Sequence, residues 1–175
     1  MARIPYADEL ANPLPADLVE HIKRERGGKL LNLYRMLLHS PPVTKGWLGM
    51  FTAIRQQAAL AGRYRELAIL RVAVINGADY EFTQHVPFAL KEGCTEAQLE
   101  SMRNGSTPEE FDDRDRAVIE YAEAMTRQIR VPDELFRRIR QGFSEREVVE
   151  LTATVAGYNM VSRFLEALQI DHEHP

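Results

Sequence analysis

A glutamate and a histidine four residues apart are the first pair in this sequence whose types and spacing suit acid–base chemistry. On a helix, Glu81 and His85 would share one face, with Cβ atoms about 6 Å apart. A carboxylate beside an imidazole orients the ring and favours its protonated form, as proton transfer near neutral pH requires. A solvated helix ion pair would show the same spacing, so both interpretations stay open.

A second carboxylate, Glu66, precedes this pair and has apolar company. The residues expected on its side of a helix are Ile69, Leu70 and Ala73. We therefore expect Glu66 to lie largely out of water, where a carboxylate has a raised pKa or needs a partner. The structural alternative to a catalytic role is an ion pair with Arg63 or Arg65.

A further polar pair stands near the C-terminus. Asn159 and Arg163 are also four residues apart, and their neighbours are mostly apolar, so both side chains need partners. Arg163 is a candidate anchor for a substrate carboxylate, and Asn159 is a candidate substrate contact. Ordinary hydrogen bonding between helices is the alternative for both.

The chain has one cysteine, Cys94, which excludes an intramolecular disulfide and a dithiol redox cycle. It has no local histidine, so we interpret it as a small buried side chain rather than a nucleophile. Glu81 and His85 would supply two metal ligands, but zinc takes three or four and no neighbouring motif completes the set. The other histidines lie on distant or terminal segments: His21, His39, His172 and His174. We predict no metal site and no cofactor.

Helices must position these residues, because apolar residues recur at three- and four-residue spacing and do not alternate. The sequence predicts an all-α fold, a compact multi-helix bundle. Turn and capping signals place the helices at about 15–26, 30–39, Trp47 to Gly62, 63–76, 79–92, after Thr95, around 118–125, at 132–142 and at 145–169. Two of these helices begin with capping boxes, Thr95 with Gln98 and Ser144 with Glu147.

The helix predicted at 63–76 is apolar on nearly every side, which is typical of a central, buried helix. Asp79 is predicted to cap the helix that follows. Pro87 falls inside that next helix, where it removes a backbone donor and predicts a kink beside His85. The kink would either open a pocket or simply bend the helix around its neighbour.

Length and composition indicate one folded domain over residues 1–175. The chain is 45% hydrophobic and 27% charged, as ordinary globular proteins are, and the polar segment 104–110 suits a surface loop. Scattered basic residues and a formal net charge of −4 argue against nucleic-acid binding. No apolar stretch reaches membrane-spanning length and the N-terminus lacks a signal-peptide pattern, so we expect no membrane partner and a cytoplasmic protein.

Three segments together resemble the carboxymuconolactone decarboxylase family: RYRELAILR at 63–71, ADYEFTQH at 78–85 and GYNMVSRFL at 157–165. The resemblance covers most of residues 35–170. It implies a small helical bundle of the alkylhydroperoxidase D-like type that assembles into dimers, trimers or hexamers. A homo-oligomer is therefore expected, since exposed apolar stripes on amphipathic helices are rarely left bare.

Two branches of that superfamily bear on the chemistry. In the branch resembling alkylhydroperoxidase D, a glutamate and a histidine serve a Cys-x-x-Cys pair. Glu66 and His85 match the glutamate and the histidine, but Ala78 and Glu81 stand at the thiol positions, and absent thiols cannot be oxidised. The decarboxylase branch resembles this chain in Glu81, His85 and an upstream arginine matching Arg65, but it lacks a carboxylate corresponding to Glu66.

The residues and the resemblance together predict a cofactor-free lyase or isomerase. Its substrate would be a small carboxylated lactone or a related intermediate of aromatic catabolism. In this hypothesis His85 is the general acid/base, Glu81 orients it, and Glu66 is a second proton acceptor.

The same hypothesis assigns the binding roles. Arg65, or else Arg163, would bind the substrate carboxylate, and Tyr80 would donate a hydrogen bond to developing oxyanion charge. Two alternatives stay open. One is a non-catalytic helical homo-oligomer that uses the acidic residues and the histidine as a satisfied buried network. The other is an alkylhydroperoxidase-like oxidoreductase in family label only.

Overall fold

The computed structural model describes residues 1–9, 13–104 and 111–173. Within these ranges the chain forms nine α-helices and no β-strand, which confirms the all-α prediction. The helices are α1 Ala16–Glu25, α2 Asn32–Leu37, α3 Pro41–Thr52, α4 Gly62–Asn76, α5 Asp79–Lys91, α6 Glu96–Arg103, α7 Asp113–Gln128, α8 Asp133–Gly142 and α9 Glu145–Leu168. A 3-10 turn at Ala7–Glu9 precedes α1, and a π-helical turn at Ala53–Gln57 continues α3. No helix in the described ranges is long and apolar enough to span a membrane.

Helix α4 lies at the centre of the bundle, as its apolar pattern predicts. Every residue from Glu66 to Ala73 is buried, and α4 contacts α5, α7 and α9. It ends at Gly77, whose φ of 66° is left-handed, a conformation that glycine adopts without steric strain. The chain then enters α5 almost at once, so Glu66 and His85 come from two consecutive, packed helices.

Both predicted capping boxes are present. The Thr95 hydroxyl accepts the Gln98 N–H at the start of α6 (3.2 Å), and the Ser144 hydroxyl accepts the Glu147 N–H at the start of α9 (3.3 Å). Each box binds a backbone donor that the first turn of a helix would otherwise leave unpaired. The starts of α6 and α9 are therefore fixed by local sequence.

Several helix bounds differ from the prediction, and Gly62, which was expected to end the third helix, is the first residue of α4. Helix α2 begins at Asn32 rather than Leu30, and α3 begins at Pro41, several residues before Trp47. Prolines fit the first turn of a helix because that turn offers no partner for the N–H that they lack. The segment Ser40-Pro-Pro therefore both ends α2 and starts α3.

The predicted cap of α5 is wrong. Ala78 holds the cap position, and Asp79 is the first helical residue, with no side-chain cap on the helix start. The Asp79 carboxylate instead accepts from Arg103 at 2.6 Å and lies 3.4 Å from Nε2 of His172. These partners outside α5 hold the carboxylate away from the backbone donors that a cap would bind.

The structure also bears on the predictions for Pro87, for the polar surface loop and for the number of domains. Pro87 lies inside α5, which continues past it to Lys91. The predicted surface loop falls mostly on residues 105–110, outside the described ranges. The single-domain organisation stays a prediction.

A glycine in α9 allows α3 to approach closely. A Cβ atom at Gly157 would lie 3.3 Å from Met50 Cε and 3.3 Å from Phe51 Cε1. The close approach brings Phe51 against Tyr158, with ring centroids 5.4 Å apart in an edge-to-face arrangement. These two rings form part of the wall of a cavity.

We expect Gly157→Leu to lower the free energy of unfolding by about 1–3 kcal/mol, because the added atoms would overpack this contact. The control is Gly46→Ala in α3, where a Cβ atom meets nothing within 4 Å. There the higher helix propensity of alanine should stabilise the protein by up to about 1 kcal/mol. Urea denaturation followed by circular dichroism measures both effects. A Gly157→Leu protein as stable as the wild type would contradict the packing role of this glycine.

Candidate active site

The helices enclose a cavity of about 790 Å³. Its walls come from the connection between α1 and α2, from α3 and its π-helical turn, and from α4, α5 and α9. Five of the predicted site residues line it: Glu66, Glu81, His85, Arg65 and Tyr80. The structure thus brings the three predicted catalytic side chains to one cavity.

A buried hydrogen bond joins α4 to α5 in the cavity wall. Nδ1 of His85 lies 2.6 Å from Oε2 of Glu66, and the two side chains are only 8% and 2% exposed. Arg65 donates from Nε to the other oxygen of Glu66, Oε1, at 3.1 Å. The ion pair with Arg65 that the sequence left open is therefore present, and Glu66 has a partner on each oxygen.

This arrangement favours an ionised Glu66 and a neutral His85. Burial by itself would raise the pKa of Glu66, but the His85 ring and the Arg65 guanidinium outweigh it, so the pKa of Glu66 is lowered. Burial lowers the pKa of His85, and the opposing effect of Glu66 is smaller, contrary to what the spacing predicted. An ionised carboxylate only accepts, so Nδ1 of the neutral ring carries the hydrogen. Nε2 then has a free lone pair, and it has no hydrogen-bond partner among the described residues.

Aromatic rings hold the imidazole in place. The Tyr158 ring meets it edge-on, with centroids 5.0 Å apart, and the Phe88 ring centroid lies 5.8 Å away. Burial raises the pKa of the Tyr158 phenol, so this group stays neutral and is able to donate a hydrogen bond. The ring of His85 is therefore fixed in orientation by packing as well as by Glu66.

Glu81 occupies a different environment from Glu66. It is 2% exposed, and its carboxyl oxygens lie 3.1 and 3.3 Å from the Ser162 hydroxyl of α9. Burial raises its pKa well above the ordinary value, and the hydrogen bond to Ser162 opposes this only in part. The prediction that Glu81 orients His85 is wrong: residues four apart share a helix face, but here the neighbouring helix α4 supplies the partner of the ring.

The hydrogen bonds around Ser162 agree with a protonated Glu81. The Ser162 hydroxyl lies 3.0 Å from the Tyr158 carbonyl as well as close to Glu81, and it has one hydrogen to donate. With Glu81 protonated, its O–H donates to Ser162 Oγ, and Ser162 donates to the carbonyl. The cavity wall therefore presents two carboxyl groups in opposite states, an ionised Glu66 and a neutral Glu81.

Tyr80 borders the cavity, but its hydroxyl is already engaged. It donates to Oε1 of Glu173 at 2.6 Å, and burial together with this contact raises the pKa of the phenol. Glu173 also accepts the backbone N–H of Asn32 at 2.9 Å. Donation from Tyr80 to a substrate oxyanion would therefore require Glu173 to move away.

Asn159 and Arg163 are not among the described residues that line the cavity. Nδ2 of Asn159 donates to Thr126 of α7 at 2.9 Å, and its Oδ1 accepts from Asn76 of α4 at 3.1 Å. Nη1 of Arg163 donates to the same Oδ1 at 2.8 Å. Asn159 therefore forms the interhelical hydrogen bonds of the structural alternative, because it lies on the side of α9 that packs on α4 and α7. Arg163 is exposed, and its hydrogen bonds are to Asn159 within α9.

Three residues of the site were missed from the sequence: Tyr158 and Arg55, which line the cavity, and Ser162, which contacts Glu81. Tyr158 and Ser162 stand four apart on α9, and a serine among apolar residues was the available signal. Arg55 lies on the π-helical turn, with its guanidinium 4.9 Å from the centroid of the Phe88 ring. No regular spacing indicated Arg55, because a π-helical turn shifts residues out of the register of an α-helix.

The single cysteine lies apart from this site. Burial raises the pKa of Cys94 to about 11, so the reactive thiolate is scarce at neutral pH. Its sulfur lies 3.7 Å from Nη1 of Arg63. Over residues 1–9, 13–104 and 111–173, no group of three or more His, Cys, Asp or Glu side chains is arranged to hold a metal ion.

Comparison with known proteins agrees with this fold. Residues 41–124 match the Carboxymuconolactone decarboxylase family. An uncharacterized protein of Bacillus subtilis (strain 168), YdfG, is 28% identical over 115 residues, which cover 65% of this chain and 78% of YdfG. An uncharacterized peroxidase-related protein from Ralstonia eutropha JMP134, with an alkylhydroperoxidase AhpD core, superposes with a TM-score of 0.84 at 17% identity, over 98% of this chain and 92% of that chain.

A further similar structure is that of the debrominase Bmp8 in complex with 2,3,4-tribromopyrrole. It has a TM-score of 0.77 at 16% identity and covers 98% of this chain and 90% of Bmp8. The fold is therefore an AhpD-like helical core. The family match over residues 41–124 and the shared fold agree with the sequence resemblance.

We expect Glu81→Gln to stabilise the protein near neutral pH. Because the pKa of Glu81 is raised on folding, the folded protein holds this proton more tightly than the unfolded chain does. Its contribution to stability is therefore lost progressively as pH rises above the ordinary value of 4.5. Glutamine does not ionise and still donates to Ser162. The gain in unfolding free energy over wild type should grow between about pH 4.5 and neutrality in urea titrations.

Glu66→Gln is the matched substitution, and we expect it to lower the free energy of unfolding, whereas Glu81→Gln should raise it. The pKa of Glu66 is lowered on folding, so its charge stabilises the folded protein above its ordinary pKa of 4.5, and this is lost on acidification. Breaking the buried pair should cost about 3–5 kcal/mol at neutral pH. The same urea titrations measure this loss of unfolding free energy. Equal changes in stability for the two substitutions would contradict opposite protonation states.

Proposed function

We propose that the protein is a cofactor-free acid–base enzyme, a lyase or isomerase for a small carboxylated lactone or a related intermediate of aromatic catabolism. The observation that carries the proposal is a pair of carboxyl groups with different partners in one cavity wall. Glu66 is hydrogen-bonded to an imidazole, and Glu81 is hydrogen-bonded to a hydroxyl. When the surroundings of two titratable groups shift their pKa values in opposite directions, one group can act as a base and the other as an acid. The cavity, of about 790 Å³, has a volume typical of small-molecule sites.

In this proposal His85 is the base. Its Nε2 accepts a proton from the substrate, while Glu66 holds the ring through Nδ1 and stabilises the imidazolium that forms. Arg65 keeps Glu66 ionised, so the proton stays on the ring instead of passing to the carboxylate. Glu66 is then a positioning residue rather than the second proton acceptor that we expected from the sequence.

Glu81 is the acid. In a decarboxylation, His85 takes the proton of the substrate's acid group, the carbon–carbon bond breaks, CO2 leaves, and the electron pair remains on the substrate as an enolate. The O–H of Glu81 then gives its proton to the enolate carbon, while the Tyr158 hydroxyl donates a hydrogen bond to the enolate oxygen. Transfer of the proton from His85 to Glu81 through water restores the starting state. In an isomerisation, His85 removes a proton from one carbon atom of the substrate and Glu81 donates a proton to another.

A peroxidase reaction is not part of this proposal, since Ala78 and Glu81 stand where the resemblance places the two thiols. The rival is a non-catalytic network, which is supported by the complete pairing of the Glu66 oxygens. Two features weigh against that rival. A buried acid with a raised pKa reduces stability near neutral pH, and the imidazole has a nitrogen without a protein partner at the cavity, as sites that exchange stability for activity commonly do.

His85→Ala and Glu81→Gln should each lower CO2 release from carboxymuconolactone by about 10²–10⁴-fold, because each removes one of the two proton-transfer groups. Circular dichroism checks that the variants remain folded. The control is His21→Ala in α1, whose side chain is 50% exposed and which should keep full turnover. Turnover by His85→Ala equal to that of the wild type would sink the assignment.

The pH dependence of kcat/KM should be bell-shaped. The acid limb reports protonation of His85, and the alkaline limb reports ionisation of Glu81. Because burial lowers the pKa of His85 below its ordinary value of 6.5, activity should persist to below pH 6.5 before it falls. Rates of CO2 release across the pH range measure this. An acid limb centred above pH 6.5 would contradict a neutral imidazole base.

The proposal includes assembly into a homo-oligomer. Several apolar side chains on α3, α5 and α9 stay more than a third exposed in the single chain: Met50, Phe88, Leu90 and Met160. Apolar surface of this kind is commonly covered by another copy of the same chain. Light scattering should give a multiple of the single-chain mass, and the single-chain mass would contradict assembly.

A further inference from the structure

The segment that follows α9 places a carboxylate of the protein itself in the cavity wall. Glu173 lines the cavity, and its Oε1 accepts two hydrogen bonds there. The Tyr80 hydroxyl donates at 2.6 Å, and the backbone N–H of Asn32 donates at 2.9 Å. The second carboxylate oxygen, Oε2, has no hydrogen-bond partner among the described residues, and no described cation forms an ion pair with Glu173. Two neutral donors therefore converge on one oxygen atom.

Two residues before Glu173, the same segment is anchored to the rest of the bundle. Asp171 exchanges two hydrogen bonds with the Tyr6 hydroxyl, which accepts from its N–H at 3.1 Å and donates to its Oδ2 at 3.2 Å. Nδ2 of Asn32 donates to the backbone carbonyls of Asp171 at 3.1 Å and of His172 at 3.3 Å. The backbone up to His172 is therefore held in place. Rotation of the Glu173 side chain can take its carboxylate out of the cavity without moving this anchor.

Glu173 is bound less strongly than Glu66, the other carboxylate of the cavity. Glu66 is 2% exposed, and a guanidinium and an imidazole bind its two oxygens. Glu173 is half-buried, and neutral groups bind only one of its oxygens. A carboxylate that is in contact with water recovers its hydration easily when it leaves such donors, so its net contribution to stability is small. The contact of Glu173 is therefore one that an oxygen of another molecule can replace.

We propose that Glu173 is an internal ligand of the cavity. Its carboxylate covers the Tyr80 hydroxyl and the Asn32 N–H in the resting protein, and an oxygen atom of a bound molecule displaces it. Because both donors meet at one position, a single carbonyl, hydroxyl or carboxylate oxygen satisfies both. The inference goes beyond the proposed reaction, since it holds for any molecule that brings an oxygen to this end of the cavity.

An internal ligand makes binding selective. Glu173 is tethered next to its two donors, so its effective concentration there is on the order of millimolar or higher, and a free carboxylate in solution competes poorly with it. A molecule that already contacts the rest of the cavity competes much better, because its oxygen is held near the donors in the same way. The apparent affinity for any such molecule is reduced by the fraction of protein in which Glu173 has left. Glu173 therefore acts as an inhibitory contact against weakly bound molecules.

Acetate, which has the chemistry of the Glu173 side chain, tests this site in NMR titrations of the intact protein. Glu173→Ala uncovers the two donors, so acetate should give a saturable shift of the Asn32 amide resonance. The wild type and Glu173→Gln both keep an oxygen at this position, and each should need at least about tenfold more acetate for the same shift. The control is Glu166→Ala, which removes an exposed acid of α9 and should respond to acetate like the wild type.

Hydrogen exchange in the wild type distinguishes a displaceable ligand from a fixed structural contact. The Asn32 N–H donates to Glu173, so its exchange with solvent reports the departure of the carboxylate. We expect this amide to exchange through a local opening whose rate does not change at low urea concentrations. The amides at the centre of the buried helix α4 should exchange more slowly, through global unfolding, and their rates should rise with urea.

Two results would overturn the inference. One is the absence of an acetate response at Asn32 in Glu173→Ala, with its fold checked by circular dichroism. The other is exchange of the Asn32 amide in the wild type as slow and as urea-dependent as that of α4, a measurement that needs no variant. Neither readout uses CO2 release. A displaceable Glu173 in a protein without turnover would therefore reject the proposed reaction alone, and turnover with a fixed Glu173 would reject this inference alone.

Discussion

The hydrogen bond between His85 and Glu66 is the interaction on which the rest of the site depends. It lies between α4 and α5, where water does not compete and where an unpaired carboxylate or imidazole would be strongly destabilising. Burial of α4 on nearly every side positions Glu66, and the immediate entry into α5 after Gly77 brings His85 to it. The bond fixes the orientation and the tautomer of the ring, so that Nε2 is the nitrogen without a hydrogen.

Glu66 and Glu81 show how one residue type acquires two states in one cavity. Glu66 has a guanidinium and an imidazole N–H on its two oxygens, so its charge is stabilised. Glu81 has only a serine hydroxyl as a partner, so burial determines its protonation state and keeps the carboxyl group protonated. A neutral acid and a neutral base therefore lie in the wall of one cavity.

Much of this could be predicted from the sequence, because helix periodicity and capping are local properties. Glu66 and His85 were predicted together since both stand in apolar surroundings on consecutive helices. The partner of His85 could not be predicted, because four-residue spacing on one helix does not show what the next helix presents. For Asn159 and Arg163, the unknown was which side of α9 faces the cavity. Arg55 depends on a π-helical turn, which has no recognisable signal in a single sequence.

Infrared difference spectra at neutral pH test the opposite protonation states most directly, because neutral and ionised carboxyl groups absorb at different frequencies. The comparison of wild type with Glu81→Gln should show the loss of a neutral carboxyl band. The comparison with Glu66→Gln should show the loss of an ionised carboxylate band. Loss of an ionised band on removal of Glu81, or of a neutral band on removal of Glu66, would contradict the account.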